Sequence, residues 1–493
     1  MHVRHRTRRF GAGVLASVVV GSLAVLGLAA PAQAGSGGAW STLATGSGLW
    51  NITQPDVVQL PSAQGSRLLV GWSTEGTSQG VYTRQVSTSG KPVGGTSTVV
   101  KGWASLDQRV AFARSNGKVV VALQGIRTTS PAEKYQGAVA YATSTNGSSW
   151  SLAPGGLSRS EAGGYALDVV DVKGTLVSAF TQSSDDRLSY HVGADTVMPS
   201  TSADRTTTAH SGNAYEGALA RDARTGEVWA AWYQLGSSSK PSDTGIWVQR
   251  VLPTASKAVR APGSGTALQP DQRVALVARS GGGVVLAYTV GYPTTRYVRV
   301  WRVGSSTSSK TYTQVKATDA RDVSASAGPG GRVWVAWATA YSGSKAVVHA
   351  VRSNTAATRL GAVVASKPVH SSTIWKTAIE GSRGVADVVV TADVKNGSSA
   401  IGIYHTQLGA GLTVKTGPSS VRKAKGGTVT VTVTDAGAKV KGATFTYKGR
   451  KYTTGSHGTA KVKVAKGTSK GTKTLTVKKS GYVSKKATFK VRS

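Results

Sequence analysis

Between Asp56 and Thr391 the chain repeats one pattern seven times. An acidic or small polar residue is followed by a short apolar run, a Gly-marked turn and a Val-rich segment that usually ends in a large side chain. The Val-rich segments end at positions 72, 123, 180, 232, 288, 337 and 391, in steps of 49 to 57 residues. Two copies are nearly identical: Asp107-Gln108-Arg109-Val110 with Val119-Val120-Val121-Ala122, and Asp271-Gln272-Arg273-Val274 with Val284-Val285-Leu286-Ala287. Further strands follow across Gly/Ser-rich or Pro-containing turns, as in Val81-Tyr82-Thr83-Arg84 and Ile246-Trp247-Val248-Gln249. Meandering units of this length predict an all-β protein, a seven-bladed β-propeller spanning residues 35–410. Residues 39–50 precede the first copy and are long enough to supply one strand, which is expected to complete the last blade and leave the ring without an open edge.

The periodicity changes near Gly409-Ala410-Gly411. Beyond it, Thr428-Val429-Thr430-Val431-Thr432-Val433, Thr459-Ala460-Lys461-Val462-Lys463-Val464 and three shorter segments alternate apolar and polar residues at period two. Such strands have one dry face, and residues 411–493 are expected to form a small β-sandwich. The pattern Val440-Lys441-Gly442-Ala443-Thr444-Phe445, Tyr452-Thr453-Thr454 and Ser480-Gly481-Tyr482 resembles bacterial immunoglobulin-like or carboxypeptidase-regulatory-like domains. The resemblance covers about 80 residues and implies a fold and an accessory role.

Charge sharpens this division. The chain carries a formal +37, and residues 411–493 hold 20 Lys/Arg against the single Asp435. Clusters at Arg422, Lys423 and Lys425, at Lys448, Arg450 and Lys451, at Lys478 and Lys479, and at Lys485 and Lys486 fall at turns and strand ends. An imbalance this large exceeds what solubility asks for and points to a polyanion partner: anionic wall polymer, acidic polysaccharide or extracellular DNA. The aromatic residues among these charges are limited to Tyr447, Tyr452 and Tyr482, so no specific nucleic acid is implied. Residues 1–34 read as a secretory signal, with Arg4, Arg6, Arg8 and Arg9 before the apolar stretch Val14 to Ala29 and Ala32-Gln33-Ala34 at the cleavage site. No later segment is apolar for long enough to span a bilayer. The expected product is secreted, extracellular or associated with the cell wall, and monomeric. The absence of cysteine excludes disulfides and thiolate chemistry.

Candidate chemistry gathers at the repeat starts, where Asp56, Asp107, Asp168, Glu216, Asp271 and Asp322 stand, with Thr377 in the seventh copy. Equivalent positions in successive blades face one mouth of the central channel. Crowded carboxylates should have raised pKa values unless Arg109, Arg273, Arg321 or a bound cation, calcium being the candidate, neutralises them. The ring could hold a ligand or metal, supply a general acid and base, or fix blade packing; repetition in nearly every blade favours packing. Tyr190-His191, Tyr404-His405, His210, His349 and His370 are isolated histidines, and no phosphate loop, metal-spaced His pair or nucleophile elbow occurs.

The turn Ser144-Thr145-Asn146-Gly147-Ser148-Ser149-Trp150 resembles the Asp box of bacterial sialidases and related propellers, with Asn146 in the acidic place. In that family the acidic side chain caps the turn and the Trp tucks into the blade. The resemblance also implies a first substrate-binding Arg on the opening blade, where this chain reads Thr53-Gln54-Pro55-Asp56-Val57. The reading that follows is a non-catalytic propeller binding a glycan or cell-surface ligand, its basic domain adhering to anionic polymers. The alternatives are a carbohydrate-active enzyme, either a sialidase-like glycosidase or a polysaccharide lyase acting on acidic glycans, and a purely structural module.

Overall fold

The computed structural model describes residues 38–493, apart from 47, 62–66, 77–78, 127–137, 154–165, 182–185, 194–204, 266–272, 292–293, 305–310, 340–345, 370–372 and 395–399. The expected signal at 1–34, Asp271 and His370 lie outside the described residues. All described residues fall within one compact unit, Pro31–Ser493. Among them the regular structure is strand throughout except for two short 3-10 turns, Pro241–Asp243 and Pro329–Gly331. No helix among them is long and apolar enough to cross a membrane.

Seven four-stranded antiparallel sheets follow one another along the chain. Their first strands are Asp56–Gln59, Ser105–Ser115, Ala166–Val172, Asn213–Arg221, Ala275–Ala278, Ala320–Ala327 and Ile374–Glu380. Each touches the first strand of the next sheet, and Ile374–Glu380 touches Asp56–Gln59, so the first strands form a closed inner ring. The Val-rich segments are the second strands. Leu68–Thr74 and Ala386–Asp393 are buried along their whole length, because each sheet is covered on both faces by its neighbours. That burial explains why these segments carry runs of successive apolar residues instead of strict alternation.

The hydrophobic cores lie between sheets. One cluster joins Leu60 and Leu69 of the first sheet to Leu106, Val121 and Leu123 of the second. Another joins Val177 and Tyr190 of the third to Trp232 of the fourth. The last closes the ring through Trp72, Val389, Ile403 and Leu43. Trp72, Trp232 and Trp337 are all among the fully buried side chains. Closure of the seventh sheet uses the N-terminal strand Trp40–Thr45, which pairs antiparallel with Ile401–Leu408 from Trp40 opposite Thr406 to Thr45 opposite Gly402. Arg84 holds it from the adjacent sheet, donating to the carbonyl of Leu43 at 2.6 Å.

The tail packs a separate core from the dry faces of its strands, including Val429, Val431, Val433, Val462, Leu475 and Phe489. Gly427–Asp435 pairs with Thr413–Gly417 and Thr459–Val464, while Lys485–Arg492 pairs with Gly471–Val477 and with Ser420–Arg422. Thr, Lys and Arg occupy the outward positions, as the period-two pattern requires.

Candidate functional site

The inner strands bulge where the carboxylates stand. In Asn213–Arg221 the register shifts between Tyr215 and Ala218, and in Ala320–Ala327 between Arg321 and Ser324. Glu216 and Asp322 sit in these bulges with φ of +52° and +46°, a left-handed conformation unusual for either residue. Another shift between Leu106 and Val110 frees Asp107, Gln108 and Arg109 from ladder pairing. A bulge re-aims side chains, and here it turns them toward the ring axis.

Three of the carboxylates stitch adjacent sheets. Asp56 accepts the N–H of Val57 at 2.9 Å and, from the second sheet, that of Phe112 at 2.8 Å. Asp168 repeats this with Val169 at 2.8 Å and Leu219 of the fourth sheet at 2.7 Å. Asp322 accepts the N–H of Thr377 from the seventh sheet. Glu216 instead forms an ion pair with Arg109, linking the fourth sheet to the second. Gln54 and Arg273 both donate to the carbonyl of Thr377, at 2.8 and 3.2 Å. The channel is therefore occupied by its own side chains. A cavity of about 40 Å³ remains, lined by Arg109, Asp168, Arg273 and apolar neighbours. That volume holds about two or three waters, far less than a sugar ring.

Asp56, Asp107, Asp168, Glu216 and Asp322 thus belong to one electrostatic group. Burial pushes Asp56, Asp168 and Asp322 upward, Asp168 to about 6, and Arg273 opposes the shift in all three. Asp107 is pushed up to about 7, mainly by burial and further by Glu216, against the pull of Arg109 and two backbone N–H groups. Among the described residues its buried Oδ2 has no hydrogen-bond partner. Below about pH 4 both the folded and unfolded states keep this proton and the site costs nothing. Between pH 4 and 7 the unfolded state ionises first and the folded state loses ground; above pH 7 the full cost is present. Asp107→Asn should therefore stabilise the protein by up to about 4 kcal/mol at pH 8 and change little at pH 4. Urea unfolding at both pH values checks this, and equal effects at the two would show that charge is not the cause.

Lys376, buried beside Asp322, belongs to the same group, as do Gln54 and Gln108. Lys376 precedes Thr377 in the repeat register, where Arg321 precedes Asp322, and that alignment was its only sequence signal. Among the described residues no three His, Cys, Asp or Glu side chains are placed to share a metal ion. The histidines are absorbed elsewhere. His405 is sealed between Asp387 at 3.1 Å and the carbonyl of Gly90 at 3.3 Å, while His210 and His349 stack on Trp247 and Trp337.

At the turn before Trp150, Asn146 Oδ1 accepts the N–H groups of Ser148 and Ser149 at 2.8 and 2.9 Å. Ser144 Oγ accepts that of Gly147 at 2.8 Å, and Trp150 packs against the core between the first two sheets. An amide carbonyl thereby does the capping that a carboxylate would do.

The tail's cations separate into two ends. Lys478, Lys479, Lys485 and Lys486 flank Tyr482, at the end that meets the propeller ring. Arg422, Lys423, Lys425 and Lys448 lie at the opposite end, with Arg450 and Lys451 leading away from it. The tail's lone acid, Asp435, is buried against Arg332 and Arg352 of the sixth sheet. Its Oδ2 accepts from Arg352 at 2.5 Å, Arg332 at 3.2 Å and the Tyr482 hydroxyl at 3.3 Å. Ala410–Gly411 pairs in parallel with Tyr482–Val483, and Gly411 bridges Ala362 of the sixth sheet. A Cβ at Gly411 would stand 2.1 Å from the Ala362 carbonyl oxygen, so only glycine fits.

A closed ring of four-stranded sheets around a side-chain-filled channel defines a β-propeller protein. No protein family and no curated protein matches the chain by sequence. Among solved structures, the NanB sialidase of Streptococcus pneumoniae is 12% identical, with a TM-score of 0.41 over 62% of this chain and 68% of that one. A PL25 ulvan lyase is 10% identical, with a TM-score of 0.40 over 74% and 94%. The Aleuria aurantia lectin, a fucose-recognising six-bladed propeller, is 12% identical with a TM-score of 0.36 over 58% and 86%. Likenesses this distant transfer no chemistry.

Proposed function

We propose that this is a secreted, non-catalytic, seven-bladed propeller that binds a glycan or cell-surface ligand and is held to anionic polymer by a basic immunoglobulin-like tail. The turn at Asn146 is read as a variant Asp box of the propeller. One observation carries the adhesive role: burial of Asp435 against Arg332 and Arg352 leaves the tail's solvent-facing surface with cations and no acidic side chain. Retention should then be electrostatic. Co-sedimentation of the full chain with purified cell walls should be strong at low salt and largely lost at about 0.5 M, where polyelectrolyte binding falls by orders of magnitude. Salt-independent retention would overturn the reading.

The propeller's share rests on Trp50 and Ile52, each more than half exposed on the segment entering the first inner strand. Trp50 N–H donates to Thr53 Oγ1 at 3.0 Å, and Thr53 in turn donates to Gln108 Oε1 at 2.7 Å, which anchors this exposed pair at the channel mouth. An exposed indole on a backbone anchored in this way suits the apolar face of a sugar. Trp50→Ala is expected to weaken any hit on a glycan array at least tenfold without shifting the melting temperature; unchanged binding would move the site elsewhere. The enzyme reading keeps one specific support, the protonatable Asp107 with its unpartnered oxygen. Release of reducing or unsaturated ends from an array hit, abolished in Asp107→Asn, would establish it.

A further inference from the structure

The free end of the tail assembles cations that are far apart in the sequence. Lys423 N–H donates to the carbonyl of Arg492 at 2.7 Å, and Gly467 N–H donates to the carbonyl of Lys423 at 2.9 Å. These two bonds bring the 422–427 turn, the 465–470 turn and the last strand together. Lys448, at the tip of the hairpin Thr444–Tyr447 and Arg450–Thr453, joins them by donating to Thr468 Oγ1 at 3.3 Å. Arg422, Lys423, Lys425, Lys448, Lys466, Lys470 and Arg492 are all exposed there, with no acidic side chain among them.

This end lies opposite the propeller contact. Gly427–Asp435 runs from the cationic turn to buried Asp435, and the eight steps of about 3.3 Å between its nine residues separate the two ends by about 26 Å. That is about three Debye lengths at physiological salt, so the ends act as separate patches. The contact through Asp435, Arg352 and Tyr482 fixes the tail's orientation and leaves the cationic end unobstructed.

We propose that this end is the docking site for a linear phosphate-bearing polymer, a refinement that rests on reading the tail as polyanion-binding. Convergence of like charges from three turns and the final strand disfavours the fold by self-repulsion, and a phosphate chain relieves it. Five of these seven cations are Lys, flexible point charges suited to successive phosphates, whereas planar carboxylates favour the paired donors of Arg. The aromatic residues nearest the tip are engaged: Tyr447 is buried, and Tyr452 stacks on Phe445 beneath Arg450. Neither sugar rings nor bases would find a stacking platform.

The test uses the full chain and long-chain inorganic polyphosphate. One variant carries K423Q, K425Q, K466Q and K470Q; the other, at the propeller-proximal end, carries K439Q, K441Q, K478Q and K479Q. Each removes four charges, and matching unfolding curves show that both are folded. The distal variant should bind at least tenfold more weakly and with a shallower salt dependence, and the proximal variant less than threefold more weakly. Equal losses would sink the distal site while leaving the polyanion reading intact. No binding by the unaltered chain would sink both, and tighter capture of polygalacturonate than of polyphosphate would overturn the phosphate assignment.

Discussion

Asp435→Ala is expected to lower unfolding stability by about 3–5 kcal/mol, the usual result of removing one partner from a buried ion pair. The carboxylate is 1% exposed and faces two guanidinium groups, which the substitution would leave without their shared counter-charge. Arg352 would keep only its bonds to the Gly384 carbonyl at 3.0 Å and the Tyr482 hydroxyl at 2.9 Å. Urea denaturation followed by Trp fluorescence measures the loss, since Trp334 lies in the core beside this contact and Arg352 stacks on it. Limited proteolysis should also begin to cut near residues 409–413. A change below about 1 kcal/mol would mean that the Ala410–Gly411 pairing alone joins the domains. The same contact makes deletion of residues 411–493 a poor test of the tail, because Tyr482 packs into the core shared by the sixth and seventh sheets.

Removing the strand Trp40–Thr45 should have the larger effect: loss of a cooperative melting transition and association of the protein. Without it, Ile401–Leu408 becomes an open edge with unpaired N–H and C=O groups, the arrangement that invites intermolecular pairing. Leu43 leaves the cluster that contains Trp72, Val389 and Ile403, so the seam between the seventh and first sheets loses packing. Leu43→Ala is the graded version and should cost about 2–5 kcal/mol. Thermal melting with simultaneous light scattering distinguishes the outcomes. A truncated chain that melts like the intact one would show that the ring is closed by other contacts.

Much of this architecture was legible in the sequence because burial follows periodicity. The second strands carry long apolar runs because neighbouring sheets cover both their faces, and the tail strands alternate because only one face is dry. The strand at 40–45 could be anticipated from chain length ahead of the first repeat, although its bounds are shorter than the expected 39–50. The carboxylate positions were also visible, since repetition places them in register. Their partners were not. Asp56 and Asp168 look alike in sequence to Glu216, yet two accept backbone N–H groups of the next sheet and the third pairs with Arg109 from two sheets away.

The sequence by itself determined the repeat, the alternation and the charge imbalance, because local spacing encodes which side chains can share a face. Only the tertiary structure decided how those charges are used. Asp435 reads as one acid lost among bases, but folding buries it against Arg332 and Arg352 and turns it into the joint between the tail and the sixth sheet. Lys423, Lys448, Lys466 and Arg492 are scattered along 70 residues and become one cationic end only when separate turns hydrogen-bond across the sandwich. Coulomb interactions depend on distance through space, and ring closure and strand pairing set that distance independently of spacing along the chain.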